Sequence, residues 1–234
     1  MTAKWPTPID HAYIICSEAK EPERYRKLKQ WLTSVNMDPS CYSFVYFKHG
    51  SELSPEEAFK AYYPWITRQK VINEQHNFNR YNLKPAEVSI GINWAHSAAS
   101  AVRENHKVVL MLESDPVFED GFLDKLAQSM KLLEGKEWDF LSIGDGVGLR
   151  PKRTEGDNGL AWFPAPGYYH TRTCDAMIFK VDMLRKILGT YFPFAEIIDW
   201  ELNYQLTRHN SKSYWLDPII VKNGSCTGDT ESSL

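Results

Sequence analysis

The chain has 234 residues, and its 27 Lys and Arg against 30 Asp and Glu give a formal net charge of −3. Hydrophobic residues make up 43% and charged residues 24% of the chain, as in ordinary globular domains, which excludes a disordered or fibrous protein. The small net charge provides no global attraction to nucleic acid or to an acidic membrane. No apolar run approaches the roughly 18–20 residues of a membrane span, and the first ten residues lack the apolar stretch of a signal peptide. We therefore expect a cytoplasmic protein with no nucleic-acid partner and no transmembrane segment.

The cysteines are widely spaced. Cys16, Cys41, Cys174 and Cys226 form neither a C-x-x-C pair nor a Cys/His cluster, which argues against a structural zinc site. We expect them to be reduced thiols that pack as small apolar groups.

In the first half of the chain, apolar runs that predict buried strands alternate with stretches of helical period. The predicted strands are Ala12–Cys16, Ser43–Phe47 and Val108–Leu112. The predicted helices begin at Pro22, after an N-cap at Ser54, and at Pro85. A stripe of apolar residues predicts the buried face of the third helix: Val88, Ile92, Ala95, Ala99 and Val102.

The same alternation continues in the second half. Further strands are predicted at Phe140–Ile143, at Ala176–Phe179 and near Tyr214 and Ile219, and further helices at Phe122–Leu133, Val181–Leu188 and Asp199–Leu206. A long loop is predicted from Gly144 to Gly167. Strand–helix alternation of this kind predicts one α/β domain, doubly wound, with a mostly parallel central sheet and helices on both faces.

The tripeptide Glu113-Ser114-Asp115 is the first candidate site, because it directly follows the most apolar strand. Ligands of open α/β sheets bind outside the carboxyl ends of the strands. Two carboxylates at that position suit Mg²⁺ or Mn²⁺ bridging the phosphates of a nucleotide. The alternative is that these acidic residues only end a strand on a solvated loop.

Asp199 is the second candidate, in a segment where the helical stripe Ile198, Leu202 and Leu206 begins. One interpretation is a first-turn or N-cap acid that the helix dipole stabilises. The other is a carboxylate that accepts the proton of an attacking hydroxyl beside a sugar-binding crevice. Glu201 lies two residues further on and is expected to point to a different face of the helix.

Common catalytic signatures are missing from the sequence: it contains no G-x-S-x-G, H-E-x-x-H, P-loop or G-x-G-x-x-G motif. The residues alone therefore predict an α/β protein with a crevice for a divalent metal and a nucleotide phosphate.

The order of three central segments adds a more specific hypothesis. Leu83–Val88 opens a helix, the strand Val108–Leu112 leads into Glu113-Ser114-Asp115, and Glu137–Gly144 contains the next strand. Together they resemble glycosyltransferase family 25, whose members carry L-T-P-G-E-I-G, L-E-D-D-V-x-F and W-D-x-x-x-L-G in this order. The family includes bacterial lipooligosaccharide galactosyltransferases and collagen hydroxylysine galactosyltransferases.

Other segments extend the resemblance over about residues 10 to 232, with the closest match at 83 to 144. Pro22-Glu23-Arg24 is similar to the family's R-R-P-x-R, and Ile198–Leu202 to its V-D-x-x-L. Asp217–Ile220 resembles its terminal proline strand, and Asp229–Ser232 the S-D-T-E-T-S of the collagen-type enzymes.

The resemblance implies a GT-A fold, Mn²⁺ (or Mg²⁺) and a UDP-sugar donor. Asp115 would then be the direct metal ligand, Glu113 would contact the ribose or a metal-bound water, and Arg24 would lie near the nucleotide. Family members mostly invert the anomeric configuration, so a single base is implied, and Asp199 is the candidate. The nucleotide-binding half would span about residues 10–145 and the acceptor-side half about 146–234.

The chain departs from the family pattern at several positions. Asn93 and Trp94 stand where the family has Ser-His, Ser114 replaces the middle Asp of the metal motif, and Asp175 lies at or near a family glycine. Ala19, Lys20 and Glu21 replace the paired arginines before Pro22.

Three functions follow as hypotheses. The first is an inverting, metal-dependent transfer of a hexose, galactose or glucose, from a UDP-sugar to a glycan or protein acceptor. The second is a catalytically inactive glycosyltransferase-like protein that binds a nucleotide sugar or glycan. The third is a metal-dependent phosphoesterase, since strand-end carboxylates also serve two-metal hydrolysis.

Overall fold

The computed structural model describes residues 2–66, 70, 74, 82–144, 160–162, 170, 171 and 173–228. The strands in this part of the chain are β1 (His11–Ile15), β2 (Tyr42–Val45), β3 (Val108–Leu112), β4 (Pro116–Phe118), β5 (Phe140–Ser142), β6 (Leu160–Trp162), β7 (Ala176–Lys180), β8 (Ser213–Leu216) and β9 (Val221–Asn223). The α-helices are α1 (Pro22–Ser34), α2 (Pro55–Ala61), α3 (Pro85–Arg103), α4 (Phe122–Leu132), α5 (Val181–Tyr191), α6 (Ile198–Arg208) and the single turn α7 (Gly224–Thr227).

The described strands form a seven-stranded central sheet in the order β2-β1-β3-β7-β5-β8-β6, and β4 pairs with β9 in a separate antiparallel ribbon. In the central sheet, β1 lies parallel to β2 and β3, and β5 lies parallel to β8. β7 is antiparallel to both β3 and β5, and β6 is antiparallel to β8 at the edge. Five of the seven strands therefore run in one direction and β7 and β6 run the other way, so the sheet is mixed but mostly parallel in strand direction, as the sequence predicts.

Helices cover both faces of the sheet, because the side chains of the central strands alternate between two apolar layers. All five residues of β3 are buried, and its Leu110 packs with the layer under α1 and α4 while Met111 packs with the layer under α3, α5 and α6. This is the central strand, buried on both faces, that the apolar run predicts.

Local sequence signals explain where several helices begin. Ser54 caps α2: its Oγ accepts the Glu57 N–H at 3.2 Å, and the Glu57 carboxylate accepts the Ser54 N–H at 2.9 Å. The Glu87 carboxylate likewise accepts the Lys84 N–H at 2.7 Å at the start of α3. In α1, α2 and α3 a proline occupies the first turn, where its missing N–H is not needed.

Some local predictions are wrong. In the predicted stripe of α3, Val88 and Ala95 are buried and Ile92 and Val102 pack partly buried against the core, but Ala99 is exposed. The buried face also includes Gly91, Trp94 and Ala98. The second strand ends at Val45 rather than Phe47, and the strand β4 was not predicted. Most of the predicted loop between Gly144 and Gly167 lies outside the described residues, and its described part contains β6. The Asp229–Ser232 segment also lies outside them.

Two predictions about composition can be compared with the structure. Cys16, Cys41 and Cys174 are buried free thiols, as expected, and the side chain of Cys226 is outside the described set. In the described helices, no segment combines the length and the hydropathy that a membrane crossing requires.

Candidate functional site

A cavity of about 540 Å³ opens beyond the carboxyl ends of β1 and β3. Its walls come from the residues after β1, β2 and β3, from α1 and α3, from the start of α6 and from the segment after β9. This is the edge of an α/β sheet where ligands bind, and the volume lies within the range of small-molecule sites.

The cavity brings together the four residues that the sequence singles out. Arg24 from α1, Glu113 and Asp115 from the end of β3, and Asp199 from the first turn of α6 all line it. Asp175, which directly precedes β7, is fully buried beside them, and its charge acts on Glu113. Residues that are far apart in sequence thus form one acidic cluster, with the Arg24 guanidinium beside it.

Glu113 has the most perturbed environment in this cluster. Burial raises the pKa of Glu113 well above its ordinary value, and the charges of Asp199, Asp175 and Asp115 raise it further. Arg24 opposes the shift. The Glu113 backbone N–H donates to the Asp175 carbonyl at 3.0 Å, which fixes the two acidic residues next to each other. Burial and the neighbouring carboxylates therefore both disfavour the charged form of Glu113.

Asp115 is held by the segment that follows β9. The Ser225 N–H donates to Asp115 Oδ2 at 3.0 Å, and the Ser225 hydroxyl donates to the same oxygen. The Gly224 N–H donates to the Asp115 backbone carbonyl at 2.8 Å. Asp115 is consequently well ordered although it lines a cavity, and only 7% of its surface is exposed.

Arg24 connects three parts of the site. Its Nη1 donates to Ser114 Oγ at 2.7 Å and to Glu21 Oε1 at 3.4 Å. Its Nη2 donates to Ser225 Oγ at 3.2 Å and lies 3.7 Å from Asp115 Oδ2. The guanidinium therefore supplies positive charge at the cavity and also braces the carboxylates and hydroxyls around it. Ser114, the middle residue of the tripeptide after β3, donates to Glu21 Oε1 at 2.7 Å within this network.

Asp199 is a first-turn residue of α6, whose N-cap is Ile197. Its backbone carbonyl accepts the Asn203 side-chain amide at 2.8 Å, and the buried Cys174 thiol donates to its carboxylate. Burial raises the pKa of Cys174, and the charges of Asp199 and Glu113 raise it further, so the thiol stays protonated as a donor. Glu201 instead faces the core, where it accepts the Ala195 N–H at 3.0 Å. Asp199 thus combines a helix-start position with a place in the cavity wall.

Asn93 holds the loop that forms the opposite wall. Its Oδ1 accepts the Phe47 N–H at 2.6 Å, and its Nδ2 donates to the Lys48 carbonyl at 2.8 Å. The loop that it holds carries Tyr46 and His49, which line the cavity. The neighbouring Trp94 is fully buried and packs against the rings of Phe179 and Tyr191. The two departures at this point of α3 therefore have structural roles.

The predicted cation can be compared with the donor set of the cavity. Glu113 and Asp115 provide the carboxylate oxygens that Mg²⁺ and Mn²⁺ prefer, in a cluster whose mutual repulsion a cation would relieve. In the described part of the chain, no three His, Cys, Asp or Glu side chains form a group that could hold a metal ion. Sites for Mg²⁺ commonly use one or two carboxylates together with substrate phosphates. The residues present fit a cation that binds with a phosphate ligand, and not one held by protein groups alone.

The sequence reasoning did not assign a role in the site to Ser225, Cys174, Asn93 or Asp175. The position of Asp175, directly before an apolar strand, is visible in the sequence. It lies next to Glu113 only because β7 is antiparallel to β3, and the sequence does not show this direction. Ser225 lies on a polar segment without a motif, and the β4–β9 pairing alone brings it to Asp115.

Two comparisons with known proteins give no match. No protein-family model matches the chain, and no curated protein matches it. The functional interpretation therefore rests on the site itself and on the order of the sequence segments.

Proposed function

We propose that the chain is an inverting, metal-dependent glycosyltransferase of the GT-A type, which transfers a hexose, galactose or glucose, from a UDP-sugar to a hydroxyl of a glycan or protein acceptor. The observation that carries the proposal is the convergence of Arg24, Glu113, Asp115 and Asp199 on one cavity. Each of them has a role in this reaction under the resemblance to glycosyltransferase family 25. Their meeting in space is independent of that resemblance.

The chemistry of the donor side follows from the charges. Asp115 and Glu113 would hold the divalent cation together with the donor diphosphate, and Arg24 adds a fixed positive charge beside Asp115. When bound, the cation supplies Lewis-acid neutralisation of the UDP leaving group. Because these residues precede residue 146, the first half of the chain would bind the nucleotide and the second half would bind the acceptor.

The chemistry of the acceptor side centres on Asp199. Inversion requires one displacement: the acceptor oxygen bonds to the anomeric carbon, the bond from that carbon to the UDP oxygen breaks, and the acceptor proton leaves. Asp199 would accept that proton, because it lines the same cavity as the β3 carboxylates and a carboxylate can serve as a general base. The thiol of Cys174 and the amide of Asn203 hold it in place.

The second candidate function is binding without turnover. Its specific support is that Asn93 and Trp94, in place of the family's Ser-His, serve loop attachment and core packing. A glycosyltransferase-like protein with these changes would bind a nucleotide sugar or glycan through the same cavity. A phosphoesterase has less support, because the described residues include no cluster of metal ligands of the kind that two-metal hydrolysis uses.

The test is thermal unfolding with a panel of nucleotide sugars, with and without Mn²⁺, followed by a UDP-release assay. A ligand at 100 times its Kd adds about 2.7 kcal/mol to the free energy of unfolding. We expect a Mn²⁺-dependent rise in Tm with a UDP-sugar that Asp115→Asn abolishes and that the exposed Asp124→Asn keeps. UDP release in the presence of an acceptor then identifies the enzyme, and binding without release favours the second candidate. A cooperative unfolding transition that no nucleotide sugar shifts would contradict both.

A further inference from the structure

The segment after β9 makes an unusually direct contact with the cavity. β9 pairs with β4, and this ribbon brings Gly224 and Ser225 onto Asp115. Three groups gather at Asp115 Oδ2: the Ser225 N–H at 3.0 Å, the Ser225 hydroxyl, and Arg24 Nη2 at 3.7 Å. The Ser225 hydroxyl also accepts from Arg24 Nη2 at 3.2 Å. One serine thus joins the carboxylate to the guanidinium.

A carboxylate that binds a cation must present its oxygen in one orientation. Hydrogen bonds from a neighbouring residue provide this orientation, and their loss typically costs 10–100-fold in metal affinity. Ser225 makes such bonds to Asp115 Oδ2 and itself lines the cavity.

We infer that Ser225 is a positioning residue: its hydroxyl holds Asp115 in the orientation in which this carboxylate binds a divalent cation together with a nucleoside diphosphate. The inference rests on the proposed function, since it deepens the role of Asp115. It assigns a part of the binding site to a segment that carries no recognised motif.

The ribbon itself does not depend on the Ser225 hydroxyl. The Glu119 N–H donates to the Ile220 carbonyl at 3.1 Å, and Lys222 Nζ lies 2.7 Å from Glu119 Oε1. The Gly224 N–H to Asp115 carbonyl bond also survives a change of the Ser225 side chain. Removal of the hydroxyl should therefore leave the fold intact. It removes one of the hydrogen bonds that orient the Asp115 carboxylate while the Ser225 N–H bond stays, which separates a positioning role from a structural one.

The experiment compares Ser225→Ala and Ser225→Thr in the full chain. Mn²⁺ affinity is measured by electron paramagnetic resonance at saturating UDP, and Tm is measured without ligand. We expect about 10–100-fold weaker Mn²⁺ binding in Ser225→Ala, near-wild-type binding in Ser225→Thr, and an unchanged ligand-free Tm in both. Ser129→Ala is the matched control, because this buried hydroxyl donates only to the Lys125 carbonyl in the described contacts of α4, and it should leave Mn²⁺ affinity unchanged.

Three outcomes would overturn the inference, and they differ in whether they also contradict the proposed function. Wild-type Mn²⁺ affinity in Ser225→Ala removes the inference and leaves the proposed function standing. A lower ligand-free Tm in Ser225→Ala that accounts for the weaker binding, without rescue by threonine, assigns Ser225 a structural role instead. Failure of the wild-type protein to bind Mn²⁺ with UDP contradicts the proposed function, and the inference with it.

Discussion

Glu113 and Asp175 are joined by a backbone hydrogen bond of 3.0 Å, from the Glu113 N–H to the Asp175 carbonyl. The bond continues the antiparallel ladder in which Leu112 pairs with Ala176. Because β7 runs opposite to β3, the residue that follows one strand meets the residue that precedes the other. Burial is the largest cause of the raised pKa of Glu113, and the charges of Asp199 and Asp175 raise it further, so the sheet itself adds part of the charge repulsion.

This repulsion predicts how Glu113→Gln changes the stability of the ligand-free protein. A folded-state pKa above the ordinary 4.5 means that the carboxyl contributes its full stability below about pH 4.5 and loses it as the pH rises toward the folded pKa. Glutamine keeps the shape and never ionises. We therefore expect Glu113→Gln to raise Tm at pH 7 and to leave it nearly unchanged at pH 4, as measured by thermal unfolding across this range.

Glu119→Gln is the control, because the pKa of Glu119 is shifted in the opposite direction from that of Glu113. Lys222 lowers the pKa of Glu119, so the stability that this carboxylate contributes is present above its ordinary pKa and is lost as the pH falls through the lowered value. Its substitution should not raise Tm at pH 7. A Glu113→Gln variant that is less stable than wild type at pH 7 would show that the carboxylate is satisfied in its ionised form.

Asp199→Asn separates binding from turnover under the proposed function. The amide cannot accept the proton of the acceptor hydroxyl, and removal of a general base typically costs 10²–10⁴-fold in rate. We expect UDP release to fall by about that factor while the Mn²⁺-dependent rise in Tm with the UDP-sugar remains. Asp182→Asn, on the exposed first turn of α5, should change neither. Full UDP release by Asp199→Asn would assign the proton transfer to another group.

Much of the fold follows from local patterns, and particular residues show where this stops. The run Val108–Leu112 predicts β3 with correct bounds, because a strand buried on both faces must be continuously apolar. The same run locates Glu113 and Asp115 at the ligand-binding edge. Strand direction is not a local property, so the sequence does not reveal that β7 is reversed and that Asp175 belongs to the cluster.

Helix α3 shows a second limit. The predicted stripe includes Ala99, which is exposed. The buried residues of the helix include both apolar and polar side chains, which pack against different neighbours. Trp94 and Ala98 pack in the apolar layer, while Ser89 and Asn93 are buried against the polar loop at Lys48. A hydropathy pattern detects only the first kind of burial, so it finds Val88 and Ala95 but misses the polar part of the buried face.

The loop contacts of Asn93 predict the effect of Asn93→Ala. The substitution leaves the Phe47 N–H without its side-chain partner and leaves the Lys48 carbonyl with only the Ser89 hydroxyl, and a polar group that loses its hydrogen bond costs about 1–3 kcal/mol. We expect a loss of about 2 kcal/mol or more in urea unfolding, together with weaker nucleotide binding, because Tyr46 and His49 in the cavity wall are released. Ser97→Ala, which removes only a hydroxyl bonded to the Asn93 carbonyl, should cost much less. Equal losses in the two variants would show that the loop has other support.

Substitution of glycine by alanine is expected to have opposite effects on stability at Gly144 and at Gly189. A Cβ at Gly144 would lie 2.7 Å from Asp175 Oδ2, so the fully buried carboxylate would have to shift within the acidic cluster. Overpacking of this kind typically costs about 1–3 kcal/mol, so we expect Gly144→Ala to lower the free energy of unfolding by that amount and to weaken ligand binding.

Gly189 is the matched position, because it lies exposed within α5 and a Cβ there meets no atom within 4 Å among the described residues. Alanine favours a helix interior over glycine by about 0.8–1 kcal/mol, so Gly189→Ala should raise the free energy of unfolding by roughly that amount without any effect on ligand binding. Both variants are compared by urea unfolding at one pH. A stabilising Gly144→Ala would mean that Asp175 moves readily, and the close packing of β5 against the cluster would then have no role in the site.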